Sequence, residues 1–338
     1  MSNSVSKKSR PDNANASSSQ LPDLELICAK LQGNLRYSTT EGMAFLGDSL
    51  ELMRLMPDKS VNAIITSPPF ALRRKKRYGN PPEHEYVEWF LAFAAEFKRL
   101  LVDDGSLVVE IGGAWLKGTP TRSIYQFKLL VELVERIGFH LAQDFYWFNR
   151  AKLPSPAQWV TIERIRVKDA VTPIWWLSKT PRPKASNRNV LAPYSKSMSR
   201  LFERGYNRGE RPSGHVVGEG FTKRHPGAIP PNLIQVGNTR SYDAYQQYCR
   251  DTGLPIHPAR FAREVPEFFI KYLTVPGDVV LDPFGGSNVT GSVAQLLERR
   301  WIAIELSADY LTGSMARFAD NTLIVNEKPA VEQTTSGE

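Results

Sequence analysis

The chain has 338 residues, 41% of them hydrophobic, enough for one large domain or a domain carrying a substantial insertion. No apolar run reaches the roughly 20 residues of a membrane span, the polar N-terminus lacks a secretory core, and two cysteines (Cys28, Cys249) exclude a disulfide framework. Formal net charge is +8 with a pI near 9.4, which favours a polyanionic partner. These features together predict a cytoplasmic protein with no membrane association. The five histidines form no pair at metal-ligand spacing, so no metal is expected.

Residues 1–35 begin Ser/Asn/Lys-rich and read as a disordered tail. Gly42 to Leu46 then gives a short strand and Leu50 to Met56 a helix. Val61 to Thr66 is a strand that stops at Ser67-Pro68-Pro69-Phe70. Apolar positions at Val87, Phe90, Leu91, Ala94 and Phe97 predict a helix over Glu83 to Leu101. Ser106 to Ile111 is a strand running into Gly112-Gly113, followed by a helix from Ser123 to Ile137. Strands follow at His140 to Phe148 and Ala170 to Leu177.

Residues 180–255 are different in character: rich in Pro, Gly, Ser, Asn and Arg, with little periodicity. Between Arg182 and Arg263 stand 14 Lys/Arg against 5 Asp/Glu. Alternation resumes with a helix from Glu264 to Leu273 and a strand from Asp278 to Leu281. A glycine loop, a helix to Leu297, a strand Trp301 to Ile304 and a helix to Phe318 complete the pattern. Such β-α alternation predicts an α/β fold, a doubly wound, mostly parallel Rossmann-like sheet, with 180–255 inserted. The parts expected are 36–179, the insertion, 256–322, and a flexible tail at 323–338.

Three places carry chemistry. The first is Asp282-Pro283-Phe284-Gly285-Gly286-Ser287 between a strand and a helix. Glycines there admit a ligand close to the backbone, beside the free N–H groups of a helix start. Glu305 ends the next strand, placed to hold ribose hydroxyls. The loop lacks G-x-G-x-x-G and a Walker lysine, which disfavours NAD and ATP but keeps an adenosine-containing cofactor.

The second is Ser67-Pro68-Pro69-Phe70. Two prolines fix an extended loop whose carbonyls accept hydrogen bonds, and Phe70 offers a stacking face. That suits a flipped-out base whose amine donates to Ser67 and the Pro68 carbonyl. The third is Glu110, a carboxylate at a strand end, able to hold or deprotonate an amine.

Together these motifs resemble the amino-group-specific DNA methyltransferases, whose catalytic motif is (Ser/Asp/Asn)-Pro-Pro-(Tyr/Phe). The catalytic motif precedes the cofactor loop here, the order of the family's β-group. Likeness to the PvuII-type N4-cytosine enzymes runs from about Tyr37 to Asn321. It includes Phe45-Leu46-Gly47-Asp48-Ser49-Leu50, Lys152-Leu153-Pro154-Ser155-Pro156, Arg211-Pro212-Ser213-Gly214-His215 and His257-Pro258-Ala259-Arg260-Phe261. The resemblance implies the S-adenosylmethionine-dependent methyltransferase fold and S-adenosyl-L-methionine as cofactor. Asp282, Phe284, Gly285, Gly286, Ser287 and Glu305 would bind it. Asp48 would face its adenine, and Pro258 and Phe261 its methionine end. Glu110 stands where those relatives carry Asp.

The implied substrate is double-stranded DNA with a CAGCTG-like site, methylated at cytosine N4. Arg73, Arg74, Lys75, Lys76 and Arg77, with Arg211 and His215, are the expected DNA contacts. Residues 180–255 would form the target recognition region. A cognate restriction endonuclease is the functional partner, and the expected active form is a monomer.

Alternatives remain at this point. C5-cytosine chemistry needs a Pro-Cys nucleophile, and neither cysteine follows proline. N6-adenine methylation competes directly, although Ser67 rather than Asp leans towards cytosine. An RNA substrate has nothing in its favour. Gly47-Asp48-Ser49-Leu50 matches a lipase string, but no histidine has Asp three residues before it. A DNA-binding protein without catalysis is the remaining reading.

Overall fold

A computed structural model of the chain describes residues 24–71, 81–205, 209–210, 216–217, 223–238, 243–318 and 324–325. Arg73–Arg77, Arg211 and His215 lie outside the described residues.

Twelve strands are described: β1 (Leu35–Ser38), β2 (Gly42–Leu46), β3 (Val61–Thr66), β4 (Leu101–Glu110), β5 (His140–Phe148), β6 (Val171–Ser178), β7 (Gly209–Glu210), β8 (Val216–Val217), β9 (Leu233–Gln235), β10 (Val279–Asp282), β11 (Arg300–Glu305) and β12 (Ile324–Val325). Ten form one sheet in the order β12-β1-β2-β11-β10-β3-β4-β6-β5-β9, and β7 pairs with β8 alone. The five central strands, β2 to β4 in that order, are mutually parallel.

The helices are α1 (Leu24–Leu31), α2 (Ser49–Leu55), α3 (Tyr86–Leu100), α4 (Tyr125–Glu135), α5 (Lys196–Arg204), α6 (Ala244–Thr252), α7 (Glu264–Leu273), α8 (Val289–Leu296) and α9 (Ala308–Ser314). Strand side chains alternate between two cores. Ile64, Leu107, Val109, Leu281 and Ile302 face one core with α2, α3 and α4. Ala63, Ile65, Val108, Val280 and Ala303 face the other, with α7 and α8. A sheet buried on both faces reads as continuous apolar strands, and all six residues of β3 are buried. Its one amide, Asn62, is explained by a partner: Asn62 Oδ1 accepts from the Val279 N–H at 2.8 Å and ties β3 to β10.

This pairing positions the site. β3 and β10 are neighbours, with Ala63 opposite Val280 and Ile64 opposite Leu281. The chain leaves β3 for β4 on one side and β10 for β11 on the other. The order of the sheet therefore reverses between them, where open α/β sheets hold ligands beyond the strand C-termini.

Three expectations need correction. The tail expected to be disordered to residue 35 instead holds α1, because Leu24, Ile27 and Leu31 recur at helical spacing and are buried against the first core. Replacing the fully buried Ile27 with Ala is expected to cost about 2–4 kcal/mol of stability in urea unfolding. An unchanged midpoint would detach α1 from the core. At the other end, Ile324–Val325 extends the sheet beside β1, inside the stretch expected to be a flexible tail.

The expected insertion is also shorter than 180–255. β9 pairs with β5 in the main sheet, held further by Asn232 Nδ2 donating to the Asp144 carbonyl at 2.9 Å. In α6, Cys249 packs so close to Gly313 of α9 that a Cβ there would stand 2.9 Å from its sulfur.

Candidate active site

β3, β10, β11 and β2 end together at one edge of the sheet. A cavity of about 440 Å³ opens there. Its lining includes Ser67, Pro68, Pro69, Phe70, Asp48, Asp282, Phe284, Gly285, Gly286, Ser287, Phe261 and Glu305. The two loops anticipated as substrate and cofactor motifs thus share one cavity, although over 200 residues separate them in sequence.

One buried carboxylate holds them side by side. Asp282 Oδ1 accepts from Thr66 Oγ1 at 2.8 Å and from the Phe284 N–H at 3.2 Å. Its Oδ2 accepts from Thr290 Oγ1 at 2.7 Å. Burial pushes the Asp282 carboxyl up to about 6, and the three donors oppose that rise. Asp282 therefore acts first on the shape of the loop, which the sequence had offered only as a ligand contact.

Gly286 adopts φ +52°, a left-handed conformation that costs other residues about 1 kcal/mol or more. Its N–H donates to Glu305 Oε2 at 2.7 Å, while Ser307 N–H donates to Oε1 at 2.8 Å. A carboxylate has about four acceptor positions, so Glu305 keeps capacity for hydroxyl donors from the cavity. Burial raises its pKa. Asp48 caps α2 through Oδ1, accepting from the Leu50 and Glu51 N–H groups at 2.8 and 3.2 Å. Ser49 Oγ donates to the Pro283 carbonyl and joins this turn to the glycine loop.

On the substrate side, the Phe70 ring lies against the backbone of Gly112, where any Cβ would overlap it. Tyr125 Oη donates to the Gly112 carbonyl and fixes that approach. Glu110 is buried and hydrogen-bonded to the Ser67 side chain. It does not line the cavity itself but stands behind Ser67. Burial pushes its carboxyl up to about 7, opposed by the Ser67 hydrogen bond and the nearby Lys152 charge.

Pro258 is exposed and is not among the residues lining the cavity; its neighbours His257, Ala259, Arg260 and Phe261 are. Burial lowers the His257 imidazole to about 4, so it is neutral at physiological pH. It packs edge-on to Tyr310, ring centroids 4.6 Å apart. Its neighbour Gly286 leaves no room: a Cβ there would stand 3.1 Å from Nε2.

Several wall residues escaped the sequence reading. Trp89 and Phe93 of α3 pack on Phe284, ring centroids 5.9 and 5.1 Å apart. Their i, i+4 spacing reads equally well as core. Arg317, which braces the glycine loop without lining the cavity, carried no signal at all. Its Nε donates to the Ser287 carbonyl at 2.5 Å and its Nη2 to Ser287 Oγ at 3.2 Å, while its guanidinium lies over Tyr245. Arg317→Met is expected to loosen the glycine loop and weaken cofactor binding about tenfold or more, measured by calorimetry. Arg317→Lys should restore only part of it, lacking the planar fork. Equal affinity in all three proteins would dismiss the strap.

A family profile described as DNA methylase matches residues 61–316. The chain belongs to the DNA methylase family. This methylase is 51% identical over 290 residues to the type II methyltransferase M.PvuII of Proteus hauseri, covering 85% of this chain and 86% of that protein. It is 28% identical to the type II methyltransferase M.Cfr9I of Citrobacter freundii, over 79% and 84% of the two chains. The solved structure of PvuII DNA methyltransferase (cytosine-N4-specific) matches with a TM-score of 0.69 at 46% identity, covering 84% of this chain and 88% of that one. The structure of a DNA modification methylase from Thermus thermophilus, complexed with S-adenosyl-L-methionine, shares the fold. Its TM-score is 0.52 at 18% identity, over 82% and 92% of the chains.

Proposed function

We propose that this methylase transfers a methyl group from S-adenosyl-L-methionine to N4 of cytosine in duplex DNA at a CAGCTG-like site. The observation that carries the reading is the meeting of the Ser67–Phe70 loop and the glycine loop in one cavity, locked together by Thr66 and Asp282.

The cofactor fits the residues present. A cavity near 440 Å³ is within the range of small-molecule sites. Gly285 and Gly286 give close backbone approach, Glu305 accepts ribose hydroxyls, and Asp48 faces the adenine. Phe284 and Phe261 supply apolar wall, with Ala259 to Phe261 near the methionine end. When bound, the cofactor supplies a methyl group on a sulfonium, electrophilic enough for an amine to attack directly.

The chain's own residues prepare the amine. Ser67 and the Pro68 carbonyl accept its two N–H bonds, which aims the nitrogen lone pair towards the cofactor loop. Pro69 holds that loop extended, and Phe70, backed by Gly112, stacks on the base. Glu110 polarises Ser67 and takes up, through the Ser67 hydroxyl, the proton the amine releases. No covalent link between enzyme and base is required.

Arg73 to Arg77, with Arg211 and His215, are assigned to DNA, and the basic stretch from 180 to about 231 to target recognition. Within it, α5 carries Lys196, Arg200 and Arg204 with no buried residue. A monomer in the cytoplasm, protecting DNA from a cognate endonuclease, completes the reading. Among the described residues no helix is long and apolar enough to cross a membrane.

The test is incubation of duplex DNA with labelled S-adenosyl-L-methionine, then mass spectrometry of the nucleosides. N4-methylcytosine, with acquired protection at CAGCTG, is expected. N6-methyladenine would overturn the base assignment, and absence of label would overturn the reaction.

A further inference from the structure

β5 runs in the same direction as β4, because both pair antiparallel with β6. The connection from Asn149 to Ala170 therefore leaves the same sheet edge as the Ser67 and glycine loops. It also reaches the site through charge, since Lys152 favours the ionised form of Glu110.

This connection is braced. Asn149 N–H donates to the Ala170 carbonyl at 2.8 Å across its base. Lys168 Nζ donates to the carbonyls of Arg150 and Lys152 at 3.1 and 3.3 Å. The Arg166 guanidinium lies 3.8 Å from the centre of the Trp115 ring. Yet Leu153 is 78% exposed, Ile162 67%, Ile165 59% and Val167 85%. One exposed aliphatic residue is ordinary; four on one fixed loop beside a site mark a binding surface. The same loop carries five Lys/Arg against two acids between 149 and 170, a net positive charge. A partner that offers phosphates outside and apolar faces inside matches both features, and stacked duplex DNA is such a partner.

We propose that this loop enters the duplex as the target base leaves it, with Leu153 filling the vacated place in the stack and the basic residues on flanking phosphates. The inference rests on the methyl-transfer reading above. Extracting a base leaves a base-sized gap whose neighbours lose their stacking contacts, and an aliphatic wedge restores contact there. Leu153 adjoins Lys152, the loop residue whose charge Glu110 feels, which selects it among the four.

The experiment is Leu153→Ala in the full chain, on a duplex with pyrrolocytosine at the target position. The flipped-base fluorescence should fall and turnover on the ordinary duplex should drop about ten- to a hundredfold, with cofactor affinity by calorimetry unchanged. On a duplex lacking the base opposite the target, where the target is already unpaired, the penalty should shrink to about twofold. Wild-type fluorescence and turnover in the variant would overturn the wedge, as would a loss that persists undiminished on the gapped duplex. If the wild-type protein neither methylates the ordinary duplex nor brightens the probe, the methyl-transfer reading falls and the wedge with it.

Discussion

Gly286→Asp abolishes cofactor binding: calorimetry should give no heat at concentrations that saturate the wild-type protein, a loss of about a hundredfold or more. Three effects act together. Residue 286 keeps φ at +52°, so an Asp there is strained before it touches anything. Its Cβ would press on the His257 ring at 3.1 to 3.3 Å. Its carboxylate would join Glu305, which already takes the residue 286 N–H at 2.7 Å, and two buried like charges repel strongly. Gly286→Ala carries the strain and the crowding without the charge, so it should fall between the two. Retained affinity in the Asp variant would remove this loop from the cofactor site.

The largest effect on the chemical step is expected at the Ser67–Glu110 pair. Ser67→Ala and Glu110→Gln should each lower kcat by about a hundred- to a thousandfold, with cofactor affinity unchanged. The pH dependence separates their roles. Burial raises the Glu110 carboxyl to about 7, and only the ionised form can take a proton. Wild-type kcat should therefore climb as pH rises through about 7, and Glu110→Gln should lose that limb.

Stability moves the opposite way. A carboxyl raised from 4.5 to about 7 binds its proton more tightly folded than unfolded. Its contribution is fully present below about pH 4.5 and is lost as pH rises through 7. Glu110→Gln should thus melt higher than wild type at pH 8, with the difference gone at pH 4. A variant that keeps the kinetic limb near pH 7 would show that another group takes the proton.

The central parallel strands were legible because a strand buried on both faces leaves a continuous apolar run; β2 and β3 have the bounds expected of them, as does the more exposed β5. The motifs were legible because prolines and glycines state backbone requirements locally. The α1 helix was hidden because eight residues give barely two turns of periodicity, within a stretch whose start looks disordered. β9 was hidden because its partner β5 supplies its hydrogen bonds, a long-range fact absent from local composition. Arg317 and His257 were hidden for a related reason. Their work is to hold a loop elsewhere in the chain, so no spacing announces them.

The sheet's outermost pair on one side has a separate meaning. β1 and β12, near opposite ends of the described chain, lie hydrogen-bonded to one another, Tyr37 opposite Val325. The site meanwhile depends on β3 and β10 being neighbours, not on which is translated first. A molecule closed at the β1–β12 edge and reopened in a surface connection far from the cavity would keep every contact around Asp282. Such a circular permutant would present the glycine loop before the Ser-Pro-Pro-Phe loop and still assemble the same pocket. Motif order along the chain is thus a record of where the polypeptide happens to be cut, and spatial adjacency is what the chemistry constrains.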